Sequence, residues 1–176
     1  SGVPSHRIVE QGLEALRNLD HRGATGADEA AGDGAGILIQ VPDAFLREVC
    51  DFELPEAGSY AVGMAFLPAK ESRRSAARLQ IEQIAGEEGL RVVGWRPVPV
   101  VTQTLSPISL SAMPHMEHLV VAPAAGGRYG IGVDRLVYGL RRRAEREAKV
   151  YFPSLSARTL VYKGMLTTLQ LEEVFP

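Results

Sequence analysis

Strand-sized apolar runs and amphipathic helical stretches alternate along this chain at uneven intervals, and that unevenness restricts the fold more than any other feature. Ser5–Leu19 sets Ile8, Val9, Leu13, Leu16 and Leu19 on one helical face, with Ser5 at the N-cap position. A polar, glycine-dense stretch from His21 to Gly36 leads into the apolar run Ile37-Leu38-Ile39-Gln40-Val41, a predicted strand. Pro42-Asp43 closes it and starts a short helix over Ala44–Cys50. Tyr60–Phe66 is a second predicted strand. Ser72–Glu88 is the clearest helix, with Ala77, Ile81, Ile84 and Ala85 inward and Gly89 as its stop. Arg91–Val101 reads as a strand interrupted by Pro97 and Pro99, Leu105–Ala112 as a short helix or loop, and His118–Ala122 as a strand. Asp134–Ala148 is a helix with Leu136, Val137, Leu140 and Ala144 inward. Thr159–Lys163 is a last strand before an apolar tail. Repeated βαβ units need regular spacing, so an α+β layered fold is expected rather than a doubly wound sheet.

The bulk properties fit one domain over residues 1–176. Apolar residues make up 45% and charged residues 23%, an ordinary globular balance. A net charge of -2 offers no electrostatic reason for a nucleic-acid or anionic-membrane partner. The apolar stretches are too short to span a bilayer and no signal peptide is visible. A single cysteine, Cys50, fits a reducing compartment, so a cytoplasmic location is expected.

Most short motifs carry no chemistry. Gly32-Asp33-Gly34-Ala35-Gly36 precedes a strand, whereas phosphate-cradling loops follow one, and it lacks the P-loop lysine. The run Ala125 to Gly132 lacks dinucleotide-binding spacing. Both read as turns. His115 and His118, with no third ligand nearby, read as surface histidines rather than a metal site. Cys50 reads as an inert thiol, and Arg141–Arg146 as a solvated helix face or docking surface. The stretch Asn18 to Asp28 is richer. Gly23 after Arg22 permits a tight backbone path that would aim the guanidinium inward. An arginine so placed can hold a carboxylate or depress the pKa of a nucleophile. A helix cap followed by a solvated loop explains the same residues.

Arg17-Asn18-Leu19-Asp20-His21-Arg22-Gly23-Ala24 resembles the N-L-x-H-R-G segment of class-II glutamine amidotransferases. Extended through Gly32–Gln40 and Val41-Pro42-Asp43, it resembles the glutamate synthases specifically, as do Tyr151–Ser156 and Val161–Leu166. The resemblance implies an N-terminal nucleophile hydrolase-like αββα sandwich, here truncated. In it a terminal cysteine attacks the glutamine amide, with its own α-amino group as base. Arg22 would support that nucleophile, with His21 and Gly23 as glutamine-binding neighbours. No cofactor is implied for this chain; FMN and an iron–sulfur cluster belong to other domains of the parent. The implied partners are glutamine, the synthase domain and the small subunit.

Two departures from that family qualify the expectation. Where its members begin Cys-Gly-Val, this chain reads Ser1-Gly2-Val3. Either Ser1 stands at the position of the nucleophile, with the first strand deleted, or these residues are unrelated to it. A serine there is the weaker nucleophile. The family's H-S-R-F-S-T-N and H-N-G-E-I-N stretches, which bind glutamine and form the oxyanion hole, would lie past Pro176. The expectation is therefore part of a glutaminase domain, inactive alone, or a non-catalytic homologue acting as an interaction module. An exposed sheet edge would favour homo-oligomers.

Overall fold

The computed structural model of the chain describes residues 5–22 and 32–176, with the backbone alone for Arg22. Two compact units are formed. The smaller comprises residues 1–39, 99–113 and 161–176; the larger comprises 40–98 and 114–160.

The larger unit is built on a four-stranded sheet of β2 (Ala61–Leu67), β3 (Leu90–Pro97), β4 (His115–Pro123) and β5 (Leu155–Ser156), ordered β3-β4-β2-β5. Every pairing in it is antiparallel. The register of β3 slips between Val92 and Gly94, and Pro97, with no N–H to give, ends the strand. Ala61, Ala65, Leu119 and Val121 point toward two helices, α3 (Glu71–Glu87) and α5 (Ile131–Glu147). The helices answer with Ala77, Ile81, Ile84 and Ala85 from α3, and Val133, Val137, Leu140 and Ala144 from α5. All four inward residues expected of the first helix are buried. On the second, Leu136 is only partly buried and Val133 takes its place, because α5 starts at Ile131, earlier than the apolar pattern suggests. Arg143 of α5 pairs with Glu87 and Glu88 at the end of α3 and with Glu147 on its own helix, at 2.6, 3.0 and 3.1 Å. The arginine run is thus partly consumed in clamping two helices together. A short helix, α2 (Asp43–Val49), is pinned by Arg47, which forks onto the Asp43 carboxylate, itself the acceptor of the buried Tyr60 hydroxyl.

In the smaller unit, β1 (Ala35–Gln40) pairs with β6 (Thr159–Gly164), the last residue of β1 and the first two of β6 crossing the unit boundary. The helix α1 (His6–Asn18) places Leu13 and Leu16 against Ala35, Ile37, Leu105, Leu166, Leu171 and Val174. Ile8 and Leu19, expected on the same face, are exposed, and Ser5 caps the helix without a side-chain hydrogen bond. Two further helices complete it, α4 (Pro107–Ala112), capped by the Ser106 hydroxyl, and α6 (Gln170–Val174). The α+β expectation holds, with helices laid on antiparallel strands in the larger unit. Among the described residues no helix is long and apolar enough to cross a membrane.

Candidate functional site

The segment singled out by its polar residues begins where α1 ends. Leu19 closes the helix, its N–H reaching the carbonyls of Ala15 and Leu16, and the chain tightens into a single 3-10 turn, Asp20–Arg22. His21 and Arg22 therefore share one turn, with His21 exposed. Gly23 and Ser1 lie outside the described residues, as does the Arg22 side chain.

Two side-chain links hold this turn from the other end of the sequence. The Thr168 hydroxyl donates to the Asp20 carboxylate, and Arg17, one helical turn earlier, pairs with Glu172 of α6. The platform beneath is a capping box. The Thr167 N–H donates to Gln170 Oε1 at 2.9 Å, and the Gln170 N–H returns a bond to the Thr167 hydroxyl at 3.3 Å. Gln170 is buried and also donates from Nε2 to the Thr104 carbonyl at 2.7 Å. The sequence carried a signal for this arrangement, Thr-x-x-Gln ahead of Leu171, within what was read only as an apolar tail.

The two glycine-bearing strings that match the family pattern also meet. A Cβ placed on Gly32 would come 2.1 Å from the Leu166 carbonyl oxygen, and one on Gly36 would come 2.8 Å from that of Tyr162. Only glycine admits so close a backbone approach. These close approaches bring the two strings together at β1 and β6. The glycines at 126, 127 and 130 adopt positive φ, as turn residues do.

Titratable groups elsewhere are structural. His115 and His118 are an odd number of residues apart on β4, which sends them to opposite faces. They are not a surface pair: His118 is completely buried and His115 half-buried. Burial, and then the nearby Arg96 charge, push His118 down to about 4. His115 Nε2 lies 2.8 Å from the fully buried Glu117 carboxylate, which Arg78 of α3 grips with both its Nε, at 2.7 Å, and a terminal nitrogen. The Arg78 guanidinium also lies over the Trp95 ring, 5.5 Å from its centroid, while the indole N–H donates to Glu82 at 2.9 Å. Burial raises the Cys50 thiol above its ordinary value, which makes it a poor nucleophile. Among the described residues no group of three or more His, Cys, Asp or Glu is placed to hold a metal ion.

Comparison with known sequences agrees with the motifs around Arg22. The sequence model of the class-II glutamine amidotransferases matches residues 1–176. The chain is 38% identical over 180 residues to the glutamate synthase (NADPH) large chain of Bacillus subtilis, covering 99% of this chain and 12% of that one. It is 36% identical to the ferredoxin-dependent glutamate synthase 2 of Synechocystis, with coverage of 99% and 11%. Against the glutamate synthase (NADPH) large chain of Azospirillum brasilense the identity is 34%, with coverage of 99% and 12%. The chain thus spans little more than a tenth of the length of these relatives. With the family match running from end to end, the chain belongs to the class-II glutamine amidotransferases.

Proposed function

We propose that this chain is part of the glutaminase domain of a glutamate synthase. The reaction is amide hydrolysis: glutamine and water give glutamate and ammonia, and the longer protein uses that ammonia to aminate 2-oxoglutarate. The observation that carries this reading is the end-to-end family match together with relatives named as glutamate synthases. Arg22 is the supporting cation of the site, and His21 and Gly23 flank the bound glutamine. A fixed guanidinium favours the ionised form of a nucleophile and the charge that develops on attack. The synthase domain and small subunit are the proposed protein partners.

These 176 residues contribute framework and Arg22, and by themselves release no ammonia from glutamine. A second reading is a homologue that binds glutamine without catalysis. Ammonia release from L-glutamine, measured on the 176-residue chain and on the full natural protein, tests both. Turnover by the full protein that Arg22→Ala lowers steeply to a residual, measurable rate supports the first reading. Glutamine binding without turnover in the full protein supports the second. Turnover by the isolated chain would overturn the division of labour.

A further inference from the structure

We propose that Thr168 and Glu172 are positioning residues for the glutaminase site, acting through Asp20 and Arg17 on the turn that ends in Arg22. The inference rests on the glutaminase reading above. Its physical basis is a contrast within the smaller unit between a rigid platform and an exposed turn. The platform is α6, where Leu171 and Val174 are buried, Gln170 is locked on both sides, and the Val174 carbonyl accepts the Val101 N–H at 3.0 Å. On the described part of the turn, Leu19, Asp20 and His21 are all exposed.

Two links cross from platform to turn, spanning 148 and 155 residues of sequence. Both are exposed; Arg17 and Glu172 are 41% and 57% accessible. Exposed polar pairs of this kind add little to global stability. Their placement gives them a local effect instead. Arg17 fixes the last turn of α1, and Asp20 fixes the first residue of the 3-10 turn, two positions before Arg22. Together they set the direction in which the chain leaves the helix. Small misplacements of a group that acts on the reacting atoms cost rate steeply.

The test is glutamine hydrolysis by the full natural protein, read as ammonia release. Thr168→Val removes the donor and should lower kcat about tenfold with KM within about twofold. Asp20→Ala, which removes the acceptor instead, should give the same loss. Thr168→Ser keeps the hydroxyl and should return kcat to within about twofold of wild type. On an Arg22→Ala background, Thr168→Val should have no further effect, because both changes act through one group. Unchanged kcat in Thr168→Val, failure of serine to rescue, or additivity with Arg22→Ala would each overturn the proposal. If wild-type protein turns glutamine over while Thr168→Val is unimpaired, this inference alone fails. Absence of wild-type turnover removes the glutaminase reading and this inference with it.

Discussion

Gly36 lies so close to Lys163 that a Cβ on the glycine would sit 2.7 Å from the lysine Cβ. The β1–β6 pairing depends on that missing atom. Gly36→Ala should therefore cost about 1–3 kcal/mol, as overpacking does. Gly32→Ala should cost at least as much, because the obstructing atoms belong to backbone at Leu166 and Thr167. Gly86→Ala is the control: a Cβ there meets nothing within 4 Å, and alanine in α3 should gain about 0.5–1 kcal/mol. Urea midpoints should rise from Gly32→Ala through Gly36→Ala to Gly86→Ala.

Glu117 and Arg78 form an ion pair whose carboxylate has no access to water. Removing one partner strands a charge. Arg78→Met alone should destabilise by about 3–5 kcal/mol, whereas Arg78→Met with Glu117→Leu should recover much of the loss. Equal destabilisation by the single and double variants would show that the pair contributes more than compensation for its own burial.

His118 makes stability depend on pH in a defined window. Its folded pKa of about 4 lies below the ordinary value of 6.5, so the unfolded chain takes a proton that the folded chain refuses. Above pH 6.5 both states are neutral and the residue has no effect. Between there and about pH 4 the folded state loses about 1.4 kcal/mol per pH unit, about 3 kcal/mol in all. His118→Gln should flatten this part of the urea-midpoint profile. A variant profile parallel to wild type would assign the acid sensitivity to other groups.

The β1–β6 sheet has two strands among the described residues, and Leu38 of β1 is 63% exposed. A large apolar side chain presented to solvent on a strand favours association. The 176-residue chain should therefore self-associate with rising concentration in sedimentation velocity, and Leu38→Lys should shift it toward monomer. A clean monomer at high concentration would contradict this.

What could be read in the sequence divides along physical lines. The helix α3 was legible to within one residue at each end because its stripe of Ala77, Ile81, Ile84 and Ala85 contrasts with polar neighbours. The strand β4 was legible only over His118–Ala122, and the burial of Glu117 and His118 was not, because both faces are buried and no alternation marks these two among apolar residues. Odd spacing on a strand could still have separated His115 from His118. The two-residue β5 is too short for any period, and α6 was hidden in a hydrophobic tail although its Thr167–Gln170 box was written there. The family motif singled out His21 and Arg22 in a polar loop, and the structure sets both in one 3-10 turn. The motif gave no hint of Thr168 or Glu172, since partners 148 and 155 residues distant leave no local pattern.

The stacking of Arg78 on Trp95 has a spectroscopic consequence. Trp95 is the chain's only tryptophan, and it packs against the core of the larger unit. Its emission is a private reporter for that unit, sensitive to the docking of α3 through Arg78 and Glu82. The smaller unit, which holds the Arg22 turn, contains no tryptophan. Circular dichroism registers both, so the gap between an optical melt followed at the indole and one followed at the peptide bond measures whether the scaffold and the turn unfold as one cooperative body.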